Sequence, residues 1–191
     1  IVKNITPMFA GVNLEDIAAP RCFEVETLLK DIGIPVFHDD QHGTAIVTLA
    51  ALINAAKLAK KDMRELKVVI NGAGAAGSAI TDMLLSMNYI GQETASVQEI
   101  IICDSKGTLH ESRPDLAENS SKLRLARKTN RNNVAGNLAD AMIDADVFIG
   151  VSVANAVTQD MIRSMKKDPI IFAMANPVPE IMPEDAKAAG A

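Results

Sequence analysis

The chain has 191 residues, a formal net charge of −5, 48% apolar residues, only 3% aromatics and no Trp. That length builds one ordinary domain, or one domain with a piece of another, around an aliphatic core. The acidic balance, with no compensating basic patch, excludes a nucleic-acid surface, and no apolar run is long enough to span a membrane.

Cys22 and Cys103 lack metal-ligand spacing and cannot form a disulfide framework, which predicts a reduced, cytoplasmic protein. No signal peptide is visible. The start at Ile1 and the end in Ala-Ala-Gly-Ala read as cuts in a longer protein.

In chain order, 5–17 (ITPMFAGVNLEDI) holds a short strand-like stretch ending in Asn-Leu-Glu-Asp. Pro20 suits the first turn of a helix that buries Phe23, Leu28 and Leu29 and stops near Gly33. Ile34-Pro35-Val36-Phe37 is extended. The run TAIVTLAALINAAKLAK (44–60) is apolar on most faces, as in a helix buried between layers. Then the pattern alternates. Lys67–Asn71 (KVVIN) reads as a buried strand, followed by GAGAAG, a helix to about Met87 and a loop insertion at 89–97. Glu99–Asp104 (EIIICD), 146–151 (DVFIGV) and 169–173 (PIIFA) are three more strands, with helical patterns at 138–143 and 159–165. Near-continuous apolar strands separated by helices predict an α/β fold with a doubly wound parallel sheet. Residues 105–135 read as a surface excursion with one helix at 116–127, its basic run from Arg124 to Arg131 being a solvated face. Met83, Met87, Met161 and Met165 read as core filler.

The stretch FHDDQHGT (37–44) sets two adjacent carboxylates, Asp39 and Asp40, between His38 and His42. Glu15-Asp16 ends another extended segment. If these four carboxylates converge, a divalent cation is the simplest remedy for their repulsion, and oxygen-only ligands suit Mn²⁺ or Mg²⁺. Neighbours on a regular strand point to opposite faces, so Glu15 and Asp16 can share an ion only where the strand ends or is irregular. Two other readings stay open. Asp39 or Asp40 caps the long helix, with Glu15 and Asp16 on a solvated turn; or His38 and His42, four apart, bind Zn²⁺ on a helix that starts early.

Gly72-Ala73-Gly74-Ala75-Ala76-Gly77 fits G-x-G-x-x-G directly after a strand and at the start of a helix, the setting of a dinucleotide site in a Rossmann-type fold. Gly72 permits the turn, Gly74 lets a pyrophosphate approach, and Gly77 lets helix and strand pack closely. A glycine turn that only packs the helix is the alternative. Asp104, ending the next strand, is placed for a ribose 2′-hydroxyl, which favours NAD; Lys106 beside it keeps NADP open, and Ser105 between them joins the cofactor set. Ser152 falls where such folds put the nicotinamide ribose.

GVNLEDI (11–17), PVFHDDQHGTAIV (35–47), VVINGAGAAG (68–77), ICDSKG (102–107), DVFIGVS (146–152) and FAMANPVPEIMPEDA (172–186) together closely resemble the malic enzyme family in its bacterial form. The resemblance covers essentially the whole chain. It implies oxidative decarboxylation of L-malate to pyruvate and CO₂, with NAD or NADP as hydride acceptor and Mn²⁺ or Mg²⁺ required. It maps the metal ligands onto Glu15, Asp16 and Asp40, and makes Asp39 the neighbouring carboxylate that tunes the catalytic base. It puts Asn176 at the substrate and the nicotinamide end of the cofactor. The family's base is a lysine and its acid a tyrosine, both upstream of the GVNLEDI segment; Lys3 and Tyr89 match no such motif. The expectation is therefore a fragment: residues 1–38 form the edge of a catalytic, metal-binding domain and 39–191 an NAD(P)-binding domain. Alone it binds dinucleotide without turning over malate, and its parent is a homodimer or tetramer. Rival expectations are a malolactic enzyme releasing lactate, a binding module without chemistry, and a metal-free amino-acid or shikimate-type dehydrogenase, which leaves the acidic cluster unexplained.

Overall fold

The computed structural model describes residues 1–85 and 96–191. The expected helix end at Met87 and most of the expected 89–97 insertion, with Tyr89, lie outside the described residues.

The N-terminal region folds beside the main sheet rather than within it. A short helix α1 (Val2–Ile5) precedes β1 (Val12–Leu14), α2 (Arg21–Leu29) and β2 (Val36–His38). β1 and β2 pair in parallel as a separate two-stranded sheet, with Leu14 opposite His38. Asp16 leaves β1 at φ +58°, in the left-handed region, so the strand is irregular where a shared ion would require it. Helix α2 buries Cys22 and Leu29, but Phe23 is only half-buried and Leu28 is 72% exposed, correcting the expected burial of both. Leu28 lies with Phe23, Glu24 and Thr27 along the open side of the helix.

β2 runs into one wide π turn, Asp39–Gly43, closed by the Thr44 N–H reaching back to the Asp39 carbonyl. Helix α3 (Thr44–Leu58) follows. It was expected between two layers; instead Ala45, Leu49, Leu52 and Ala56 are buried while Ile46, Val47 and Leu58 are exposed. An Ala/Leu-rich helix is apolar all round, and the described residues cover only one of its faces.

The remaining elements are β3 (Lys67–Asn71), α4 (Ala75–Leu85), β4 (Glu99–Asp104), β5 (Gly107–Thr108), α5 (Ser120–Lys128), α6 (Leu138–Met142), β6 (Val147–Gly150), α7 (Gln159–Arg163), β7 (Ile170–Ala173) and α8 (Pro183–Ala188). The strands form one sheet in the order β5-β4-β3-β6-β7, parallel except for β5, which turns back against β4. Side chains alternate along each strand. Val68 and Ile70 thus join Leu52 of α3, Ile80 and Leu84 of α4 and Leu125 of α5 on one face. Val69, Ile101 and Phe148 meet Met142 of α6, Ile162 of α7 and Ala186 of α8 on the other. The sheet is doubly wound, as its apolar strands predict. From β3 the chain moves to β4 on one side and later to β6 on the other, so a crevice opens beyond the strand ends at that reversal.

Residues 105–135 are only in part the expected surface excursion: Leu109, Arg113, Leu116, Leu125, Ala126, Thr129 and Asn130 are buried, while most of the rest is exposed or half-buried. Among the described residues, no helix is long and apolar enough to cross a membrane.

Candidate functional site

The glycine loop leaves β3 through Gly72 at φ +127°, where a β-carbon would stand 2.6 Å from the Val151 carbonyl oxygen. At Gly77 a β-carbon would stand 1.9 Å from the Gly72 carbonyl oxygen, so α4 and the loop pack at a distance only glycine allows. Around Gly74 there is nothing within 4 Å of that position. That is open space for a pyrophosphate to reach the first-turn N–H groups of α4, which helix geometry leaves without partners. Ala73, Ala75 and Ala76 keep the rest of the loop small. Gly72 and Gly77 thus sit where a side chain would clash, and Gly74 faces open space.

A cleft of about 400 Å³ opens beyond the ends of β3, β4 and β6 and brings Gly72 and Ala73 together with Asp104, Ser105 and Ser152. Ser152 is tied on both sides: its hydroxyl accepts from the Asn71 side-chain amide at 2.7 Å, and its N–H donates to Glu180 at 3.0 Å. Asn176 lies beyond β7 on an exposed turn.

Asp104 differs most from its expected part. Its Oδ1 accepts from Arg113 and from the Lys106 N–H, each at 2.9 Å, and its Oδ2 from Arg113 at 2.8 Å and Lys122 at 2.5 Å. Burial alone would raise its pKa, but the hydrogen bonds from Arg113 and Lys122 outweigh that and hold the carboxyl far below the usual range. With four donors already in place, its acceptor sites are filled. A ribose hydroxyl can be accepted there only by exchanging one of them. The Lys106 ammonium turns to Asp115 at 3.0 Å instead. Arg124 and Lys128 pair with Asp82 of α4, leaving Arg113 and Lys122 as the cations that reach the strand end.

At the other edge, the β1–β2 register sets Glu15-Asp16 beside Asp39-Asp40, and the Asp16 N–H donates to Asp40 Oδ2 at 2.9 Å. Asp39 folds over Gly43, where a β-carbon would lie 2.2 Å from its Oδ1. Neither aspartate caps α3, because Gly43 begins it and no side chain bonds its first turn. His38 is fully buried with no hydrogen bond on either nitrogen among the described residues, and His42 Nε2 lies 2.5 Å from Glu26, so the two imidazoles do not form a pair. Among the described residues, no three His, Cys, Asp or Glu side chains are gathered to hold a metal. The strand ends adjoin, but their carboxylates are not gathered around one point. Glu15, Asp16 and Asp40 offer oxygen donors only, the kind that suits a hard divalent ion.

Residues 41–189 match the family model described as malic enzyme, NAD binding domain. The chain belongs to the malic enzyme family. It is 59% identical over 191 residues to the bifunctional malic/malolactic enzyme of Bacillus subtilis, covering all of this chain and 44% of that protein. It is 50% identical to the NAD-dependent malic enzyme of Geobacillus stearothermophilus over 98% of this chain and 37% of that one. The crystal structure of the NAD-dependent malic enzyme from Thermotoga maritima superimposes with a TM-score of 0.92 at 47% identity, over 100% of this chain and 48% of the other. The chain thus spans less than half the length of each of these relatives.

In this malic enzyme domain, Arg113, Lys122 and Glu180 escape sequence reasoning. Lys122 does carry a local signal, because Asn119 accepts its N–H and so starts α5 with Lys122 in the first turn. Arg113 and Glu180 carry none.

Proposed function

We propose that this chain is the dinucleotide-binding part of an enzyme that oxidatively decarboxylates L-malate to pyruvate and CO₂ while reducing NAD⁺ or NADP⁺. Residues 1–38 are then the edge of a neighbouring metal-bearing domain, and the parent works as a cytoplasmic homodimer or tetramer. One observation carries this reading above the rest: a single cleft gathers Gly72 and Ala73 at the start of the glycine loop, the end of β4 and Ser152. NAD(P)⁺ supplies the hydride acceptor. Gly72, Gly74 and Gly77 hold its pyrophosphate against the start of α4, with Ala73, Ala75 and Ala76 flanking. Asp104, Ser105 and Lys106 face the adenosine ribose, Ser152 the nicotinamide ribose, and Asn176 the substrate and nicotinamide.

A Mn²⁺ or Mg²⁺ ion held by Glu15, Asp16 and Asp40 would supply Lewis-acid polarisation of the malate oxygens. The contact between the Asp16 N–H and Asp40 supports this, since it fixes the two segments side by side. Asp39, exposed on the π turn, acts as the carboxylate that tunes the base.

Assaying the full-length protein with malate, NAD⁺ and NADP⁺ in parallel, with and without Mn²⁺, tests the reading. Metal-dependent pyruvate formation with at least one dinucleotide is expected, and its absence with both overturns the reading. A second product has specific support, because the Bacillus subtilis relative is named a bifunctional malic/malolactic enzyme. Lactate in the same assay would move the assignment to that activity.

A further inference from the structure

We infer that Glu180 is a positioning residue for the nicotinamide end of the cleft, a proposal that rests on the dinucleotide reading above. Its side chain is fully buried, and among the described residues it makes no ion pair. An uncompensated buried carboxylate is costly and persists only where its oxygens are well used. Here Oε1 accepts from the Ser152 N–H and Oε2 from the Ala175 N–H, each at 3.0 Å. Ser152 follows β6 and Ala175 follows β7, one residue before Asn176. One carboxylate therefore bridges the two segments that carry both nicotinamide-end residues.

Its surroundings are shaped to admit it. A β-carbon at Gly150 would lie 2.2 Å from the Glu180 carboxyl carbon, so glycine at the last position of β6 makes room for that group. The Glu180 carbonyl also accepts from the Val157 N–H at 3.0 Å, fixing its own backbone. A carboxylate accepts both N–H groups at once, one on each oxygen. An amide presents one oxygen and one N–H₂ group, which would meet the second donor head-on and release one of the two segments.

The test compares NAD⁺ with ADP, which keeps the adenosine and pyrophosphate contacts but has neither the nicotinamide nor its ribose, by calorimetric titration of the full-length protein. NADP⁺ and the 2′-phosphorylated ADP are run beside them. Glu180→Gln is expected to weaken NAD(P)⁺ about ten- to a hundredfold, the scale of a lost hydrogen bond to a charged group, with binding of the nicotinamide-free ligand unchanged. Glu180→Asp keeps the charge but not the reach to both N–H groups, and shows the same selective loss to a smaller degree. A parallel loss of both ligands would make Glu180 a general support and overturn the proposal, as would unchanged NAD(P)⁺ binding in either variant. Failure of the unmodified protein to bind even the nicotinamide-free ligand would instead remove the dinucleotide reading on which the proposal stands.

Discussion

Arg113 grips Asp104 through two N–H···O contacts of 2.9 and 2.8 Å, with only 9% of the Arg113 side chain and 6% of the Asp104 side chain exposed. Removing Arg113 leaves the buried Asp104 carboxylate with only Lys122 and the Lys106 N–H. Arg113→Met is expected to cost about 3 kcal/mol of stability in urea denaturation. Because the native pKa of Asp104 is depressed, the pair's contribution is complete above the unfolded value of about 3.9 and fades as pH falls through the native value. The deficit should therefore be equal at about pH 6 and pH 8 and shrink below about pH 4. A deficit that grows with acidity would contradict the assignment.

The glycines of the loop should separate by role. Gly77→Ala forces a methyl group against the Gly72 carbonyl and should destabilise the fold by about 1–3 kcal/mol or more. Gly74→Ala meets open space, so its melting temperature should stay close to that of the parent. It should nevertheless weaken dinucleotide binding, because its methyl occupies the pyrophosphate approach. Melting curves and dinucleotide titrations of both variants decide this.

At the opposite end of the sheet, Asp146 accepts from the Lys61 and Lys166 ammoniums, each at 2.8 Å, and from the Lys67 N–H at 3.0 Å. Burial pushes its pKa up, but the hydrogen bonds from Lys166 and Lys61 prevail and hold it below the ordinary carboxylate range. Its contribution is thus present above the unfolded value of about 3.9 and lost as pH falls through the lower native value. Asp146→Asn should lose about 3 kcal/mol at neutral pH and differ little from the parent in strong acid, as measured by denaturation.

Asp40→Asn in the full-length protein should abolish Mn²⁺-dependent malate turnover while leaving dinucleotide affinity unchanged. The neutral amide can still accept from the Asp16 N–H, but contributes no charge to a cation. Unchanged turnover would remove Asp40 from the metal site.

Both cysteines should resist thiol reagents in the folded chain and react on unfolding. Burial, aided by the charge of Asp104, pushes the Cys103 thiol up to about 12, and Cys22 is fully buried with its pKa also raised. Rapid native-state labelling at about pH 8 would contradict this, since little thiolate is then available.

The alternation of apolar runs and helical segments made the doubly wound sheet legible, because the central strands are buried on both faces and need no polar side. The glycine spacing was partly legible: Gly77 answers a demand only five residues away, at the Gly72 carbonyl, whereas Gly72 meets Val151 from the neighbouring strand and Gly74 meets nothing. Residues 105–135 were not, because Leu109, Leu116 and Leu125 sit among polar residues with no regular period and find the core only after the chain folds back. The half-open state of α3 was hidden for the opposite reason, as a helix apolar all round gives no sign of which face is covered.

The linear order of residues by itself determined the sheet, the turn at Gly72 and the likeness to malic enzymes, for these depend on short-range periodicity and on which side chains fit a tight bend. Only the tertiary structure decided that Asp104 is claimed by Arg113 and Lys122, that Asp16 meets Asp40, and that Glu180 bridges the ends of β6 and β7. Each of these joins groups far apart or differently placed along the chain, and electrostatic and hydrogen-bond partners are set by distance in space.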